Sequence, residues 1–511
     1  MADQEIQLPY FLTKHAKYDE IVDKQNLFID MVTGEGGFAD GSILERYENE
    51  RDDTYEDRRK LAVYRYYPAT FRKIYVSYLH KKNPTRRLSS HARKQDVFAR
   101  IMDWFDNGTV DLAGRKMNQF MKRIASKTYV RGKYLIGVDM PRGAADNLEE
   151  MERKKLFPYL TAYCPSTVWN WEKDHLGKYN WITLRLEKTG FDMETGPPDE
   201  PEYQYVVWTS DEWFEYEIDK TGYRLVDRAV HNLGKVPFVD FMFEEHENDS
   251  DKGLSLLKPI EGTIRAIYRL LSDAGMAVKF YVFPLLCLPS GQGGVEVELG
   301  PKNVLFYNAE MGGKPFTLVF DLEGLRQIDE ELRHHIRYMY NALSLISENQ
   351  TAVREAADTL KEKRADIKNI LAEHADQEEQ TEFKILEIVL RWLFRVRGED
   401  GVPRVDEDKV EQFLDAVSID YPDEFDVKSF EDQFNEGFLL INGIDSPVLA
   451  GEIEERLVRK YFPNLSNDKM EEIVQEIREN IKRKLVNPQP GARSSSEAPR
   501  VRGELHPVRE T

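Results

Sequence analysis

The sequence predicts an α+β, helix-rich fold, and three observations carry that expectation. Short alternating runs separated by turn signals fill residues 158–243. Stretches on both sides repeat apolar residues at intervals of three and four. One stretch, Ala352 to Val396, holds neither proline nor glycine. At 511 residues and 41% hydrophobic content, the chain can bury a sizeable core. Its length corresponds to about two to four structural units.

Residues 1–45 read as a mixed, glycine-containing lead-in, and residues 46–252 as one α+β unit. Within that unit the pattern from Ser42 to Tyr78 is helical. Tyr64, Tyr67, Phe71, Tyr75 and Tyr78 follow one another at intervals of 3, 4, 4 and 3, one helical face. The expected role is a core-facing aromatic stripe, with a base-stacking platform as the alternative. A second helical stretch covers 97–131 and a strand Tyr134–Asp139. Alternating runs at Trp181–Leu186, Tyr203–Trp208, Trp213–Ile218 and Tyr223–Asp227 then predict an antiparallel meander.

At Gly253 the period changes. Leu256, Ile260, Ile264, Ile267, Leu271, Ala274 and Val278 predict an amphipathic helix over 253–283, whose other face carries Lys258, Glu261, Arg265, Arg269 and Asp273. Residues 284–320 read as a small glycine-punctuated β insert. Leu325, Ile328, Leu332, Ile336, Met339, Leu343 and Ile346 predict a second helix over 321–346, with Arg333 and Arg337 on its charged face. The two helices are of similar length and could run antiparallel.

A polar break at 347–352 follows: Ser347, Glu348, Asn349, Gln350 and Thr351. Beyond it a very long helix is expected over 353–398, roughly 65 Å at 1.5 Å per residue. Residues 399–486 read as helical, with start signals at Ser446-Pro447 and Ser466-Asn467-Asp468. Residues 487–511 read as a disordered basic tail. From Lys482 onward there are seven Lys and Arg against three Glu.

The net charge of −20 argues against a protein that grips DNA by neutralising phosphates. It is compatible with one that lets DNA slide past. The two cysteines, Cys164 and Cys287, form no CxxC, which fits a reducing compartment. The N-terminus has no signal-peptide pattern. The longest apolar stretch, Phe280 to Leu288, contains Pro284 and is too short for a bilayer, so no membrane partner is expected. The chain reads as soluble and made in the cytoplasm.

Tests for chemistry return little. Gly313-Lys314 is followed by Pro315 where a phosphate loop needs Ser or Thr, and Asn308 stands where its first Gly belongs. Gly34-Glu35-Gly36-Gly37-Phe38-Ala39 fits a dinucleotide fingerprint but lacks the βαβ context, so a turn is expected. His334-His335 point about 100° apart on a helix and cannot share one ion. His374 and Glu378 read as a solvated helix face. No nucleophile elbow occurs. No catalytic, cofactor-binding or metal residue is therefore expected. The basic cluster Lys81, Lys82, Arg86, Arg87, Arg93 and Lys94 reads either as a solvated linker or as a contact with DNA or another subunit.

The order of parts is the most informative feature: α+β unit, helix, β insert, helix, polar break, very long helix, helical C-terminal unit. It resembles the portal proteins of tailed bacteriophages, with their wing, stem, clip, tunnel loop, spine helix and crown. Particular stretches are similar too. Glu50-Arg51 through Arg58-Arg59-Lys60-Leu61-Ala62 resembles the portal N-terminal region, and His231-Asn232-Leu233-Gly234-Lys235-Val236-Pro237-Phe238 the segment that closes the wing. Gly253-Leu254-Ser255-Leu256-Leu257 running to Pro284 looks like the first stem helix. Asn349-Gln350-Thr351-Ala352 looks like the junction of tunnel loop and spine. The resemblance spans roughly residues 45 to 485.

That resemblance implies a non-enzymatic homo-oligomer, a twelve-membered ring at one capsid vertex of the virion. It would conduct double-stranded DNA during packaging and ejection. Its partners would be the terminase large subunit, the major capsid or scaffold protein and a head–tail adaptor. Residues 347–351 would face DNA, and the charged helix faces would line or flank the channel. The alternatives are another structural protein of the virion, a carboxylate-dependent metal hydrolase, and a cellular scaffold built on the long helix.

Overall fold

The computed structural model describes residues 7–141, 150, 153–154, 156–188, 201–219, 222–282, 285–290, 304–308, 314, 316–318, 323–345, 357–397, 402–422, 475 and 479. The chain divides into two compact units, Met1–Phe425 and Asp426–Thr511. Of the second, only Gln475 and Glu479 are described, both helical. The fold of the first unit is α+β.

Its elements begin earlier than the sequence suggested. Helix α1 (Tyr18–Thr33) buries Phe28, Met31 and Val32 in the core, so residues 1–45 are no mere lead-in. It ends at Gly34, which adopts φ +71° and donates its N–H to the Asp30 carbonyl at 2.7 Å. A left-handed cap of this kind favours glycine. The glycine-rich motif at 34–39 is thus a helix end followed by a 3-10 turn at Gly36–Phe38.

The helical pattern expected from Ser42 to Tyr78 is two helices, α2 (Asp52–Leu61) and α3 (Tyr67–Leu79). Pro68 lies in the first turn of α3, where its missing N–H costs nothing. The aromatic stripe is core: Phe71 and Tyr75 are fully buried, and Tyr64, ahead of α3, donates its hydroxyl to the Met31 carbonyl.

Strand β1 (Thr85–Leu88) and helices α4 (Asp96–Asn107) and α5 (Met117–Arg131) lead to β2 (Lys133–Asp139). Strand β2 is flanked by β3 (Tyr159–Tyr163) and, from further along the chain, by β9 (Phe238–Met242), antiparallel on both sides. Between them lies the meander: β4 (Val168–Lys173), β5 (Tyr179–Glu187), β6 (Tyr203–Thr209), β7 (Glu212–Asp219) and β8 (Gly222–Val230), paired in sequence order. A hairpin, β10 (Glu244–His246) with β11 (Asp249–Leu254), completes this region.

Helix α6 (Glu261–Val282) starts eight residues later than its apolar period suggested. Gly253 lies inside β11, where its backbone touches that of Gly132. A Cβ on Gly253 would come within 2.3 Å of the Gly132 oxygen. A 3-10 turn at Lys258–Ile260 then opens the helix. Strands β12 (Leu285–Ser290), β13 (Val304–Asn308) and β14 (Phe316–Leu318) form a mixed sheet. The central β12 runs parallel to β13 and antiparallel to β14. Helix α7 (Glu323–Ala342) follows, then α8 (Ala357–Leu393), 37 residues long.

Helix α8 stops short of 398 because Arg395–Arg397 is drawn into β15, paired with β16 (Pro403–Val405). After α9 (Glu407–Leu414), strand β17 (Val417–Asp420) pairs antiparallel with β1, Thr85 opposite Asp420. Residues 402–422 therefore belong to the first unit, and the boundary expected at 399 lies instead at Asp426. Helix α8 packs on α3, β2 and β9 and buries Leu371, Ile385, Leu386, Val389 and Leu390. Among the described residues no helix is long and apolar enough to cross a membrane.

Candidate functional site

Helices α6 and α7 bracket the mixed sheet and pack on one another. Their burial is graded. On α6, Ile264, Ile267 and Tyr268 are buried, Leu271 and Ala274 are half-buried, and Val278 is 47% exposed. On α7 the order is reversed. Met339, followed by Leu343 just beyond the helix, is buried, whereas Leu325, Ile328, Leu332 and Ile336 are half-buried. Opposite gradients are what antiparallel neighbours rooted at one end produce. The rooted end is held by the body: the Tyr75 hydroxyl donates to the Leu343 carbonyl at 2.7 Å, and Phe71 meets Tyr340 edge-on. Toward the sheet, the apolar seam of the pair is incompletely covered.

The charged faces divide into two groups. Lys258 and Arg265 both pair with Glu261 at 2.9 Å, Arg333 pairs with Asp329 at 2.9 Å, and Arg269 and Arg337 are exposed. Asp273 behaves differently. It accepts from the Tyr47 hydroxyl at 2.7 Å and lies 3.6 Å from Arg58, so it faces α2 rather than an open channel. Burial, then the Asp273 carboxylate, pushes the Tyr47 hydroxyl up to about 12. Arg58 itself is buried, gripping Glu50 through two 2.9 Å hydrogen bonds. Ser272 on α6 donates to the Arg58 carbonyl, which locks α6 against α2.

The basic cluster splits as well. Lys81, Lys82, Arg87, Arg93 and Lys94 are exposed around β1. Arg86 is buried, because alternate residues of a strand point to opposite faces. Its guanidinium pairs with Glu382, Asp106 (2.8 Å) and Asn118 (2.7 Å), and so it is not part of the surface cluster. Burial opposes its charge, but the Glu382 carboxylate outweighs that and holds the group above its usual range.

This pair belongs to a polar seam that the sequence reading missed. His374, Glu378 and Glu382 lie four residues apart on α8, and all three are buried rather than solvated. Tyr129 donates to Glu378 at 2.5 Å, and Tyr421 donates to Glu382 at 2.7 Å. The His80 Nε2 lies 3.4 Å from Glu378, and His374 stacks on Phe243. The signal was available. These positions continue the apolar face that Leu371, Ile385 and Val389 define.

A second polar chain ties the N-terminal segment to the sheets. Cations and anions alternate along it: Lys24, Glu20, Lys252, Asp249, Lys17, Asp251, Lys173, Asp240, Lys133, with successive contacts of 2.7–3.4 Å. At its inner end, burial holds the Lys133 ammonium below its usual value. Burial would raise Asp240, but Lys133 and Lys173 outweigh it and keep it ionised. The adjoining cavity, about 20 Å³, has room for one water and not for a substrate.

Among the described residues no three His, Cys, Asp or Glu side chains are grouped to hold a metal ion. Neither Cys164 nor Cys287 is in a disulfide. The polar break, Ser347, Glu348, Asn349, Gln350 and Thr351, lies outside the described residues, as does the basic tail at 487–511. Comparison with known proteins finds no family model that matches the chain and no curated protein similar to it in sequence.

Proposed function

We propose that the chain is the portal subunit of a tailed bacteriophage. Twelve copies would form a ring at one capsid vertex of the virion and conduct double-stranded DNA during packaging and ejection. The terminase large subunit, the major capsid or scaffold protein and a head–tail adaptor would dock on it. In this reading α6 and α7 are the stem, the β12–β14 sheet the clip, residues 347–351 the tunnel loop and α8 the spine. The chain performs no catalysis, and the packaging motor's ATPase is a partner.

One observation carries the proposal: two antiparallel amphipathic helices, rooted in an α+β body, bracket a small sheet and leave their apolar seam half-covered toward it. A single copy cannot bury that seam. Identical copies in a closed ring cover it for every member and leave no open edge.

Native mass spectrometry and negative-stain imaging test this, with scaffold and capsid protein supplied as well as the chain alone. Rings of twelve with a central hole are expected. A chain that stays monomeric under all of these conditions overturns the proposal.

A further inference from the structure

Helix α5 carries a row of cations that have no ion-pair partner among the described residues. Its apolar residues, Met117, Phe120, Met121, Ile124, Ala125, Tyr129 and Val130, are all buried. Its outward face holds Gln119, Lys122, Arg123, Ser126, Lys127 and Arg131. Arg123, Lys127 and Arg131 recur every four residues and so stand in one row, about 6 Å apart along the axis. Among the described residues, neither these three nor Lys122 has an ion-pair partner. Lys127 and Arg131 lie over the Tyr134 ring, at 5.5 and 5.8 Å, and near the Cys164 thiol.

Elsewhere Lys17, Lys133, Lys173, Lys235, Arg58, Arg86, Arg265 and Arg391 each sit against a carboxylate. Like charges four residues apart on a helix repel and destabilise it. Burial lowers the Lys127 ammonium, and Arg123, Arg131 and Arg115 lower it further. On a chain of net charge −20, cations held together without carboxylates form a local field that attracts an external anion.

The form of that anion follows from the face. A protein partner would meet an apolar centre ringed by polar groups, and this face exposes no apolar side chain. What it offers is evenly spaced positive charge. Phosphates of one strand wind around the duplex axis at intervals of several ångströms, so a row of cations about 6 Å apart can meet successive phosphates of that strand. We infer that Arg123, Lys127 and Arg131 form a binding surface for the phosphate backbone of duplex DNA, which holds it without reading its bases. The inference goes beyond the portal proposal and does not depend on ring formation.

Fluorescence anisotropy with a short random-sequence duplex, over a series of salt concentrations, tests it on the full chain. The variant is Arg123→Gln/Lys127→Gln/Arg131→Gln. Its plot of log K against log salt should be shallower than that of the unchanged protein by about 2.7, from about 0.9 for each of three phosphate contacts. The charge-preserving variant Arg123→Lys/Lys127→Arg/Arg131→Lys should keep the original slope. It also serves as the test if the glutamine variant fails to fold, because a loss of slope with charge retained overturns the inference. Equal slopes for the glutamine variant and the unchanged protein overturn it, as does no binding by the unchanged protein at low salt. A glutamine variant altered only in oligomeric state also overturns it and assigns the row to a second copy of the chain. Rings and DNA affinity are read separately, so either proposal can fail alone.

Discussion

The Arg86 guanidinium and the Glu382 carboxylate form a bidentate pair in which neither side chain is exposed to solvent. It joins β1 to the middle of α8. Removing one partner strands the other's charge in the interior, which costs roughly 3–5 kcal/mol. Arg86→Met should therefore lower the urea midpoint severely. Arg86→Met/Glu382→Met should recover part of that loss, because an apolar pair leaves no stranded charge. A double variant no more stable than the single one would contradict this account of the pair.

His231 gives the fold a dependence on pH. It is buried beside Trp208 and Trp392, and burial, then the Arg395 charge, lowers its pKa from 6.5 to about 4. Between those values the unfolded chain binds a proton that the folded chain refuses. Stability is thus intact above pH 6.5 and falls as the pH drops, by up to about 3 kcal/mol at pH 4. Urea midpoints measured from pH 7 to 4.5 should fall less for His231→Leu than for the unchanged protein. Parallel curves would remove His231 as the cause.

Gly132 and Gly253 meet backbone to backbone where α5 turns into β2 beside β11. Gly132 also holds φ +81°, and a Cβ there would stand 2.2 Å from the Gly253 oxygen. Alanine at either position must push the two segments apart. At Gly132 it also incurs backbone strain of about 1–3 kcal/mol. Both variants should be less stable than the unchanged protein, Gly132→Ala more so, as read by thermal unfolding.

Much of this was legible in the sequence, and the reason is local. The meander strands alternate, and α6 and α7 repeat their apolar residues at helical spacing, so each element declares itself over its own few turns. What was missed depends on distant partners. Arg86 reads as one more surface cation until Glu382 is brought beside it. His374 and Glu378 read as a solvated face until Phe243 and Tyr129 cover them. Gly253 reads as the start of a helix because its real constraint, Gly132, lies far back in the chain. The strand that closes on β1 was hidden in residues read as helical for the same reason.

The half-covered seam of α6 and α7 gives the sharpest test of assembly. Val278 is 47% exposed, so a charge there disturbs little inside one copy. A ring contact over the seam would remove it from water, where an unpaired carboxylate costs several kcal/mol. Substituting Val278→Asp should leave the far-UV circular dichroism and the thermal midpoint of the isolated chain nearly unchanged. The same substitution should shift native mass spectra from rings toward monomers. Rings that form as readily with the substitution present would place the subunit contact elsewhere on the molecule.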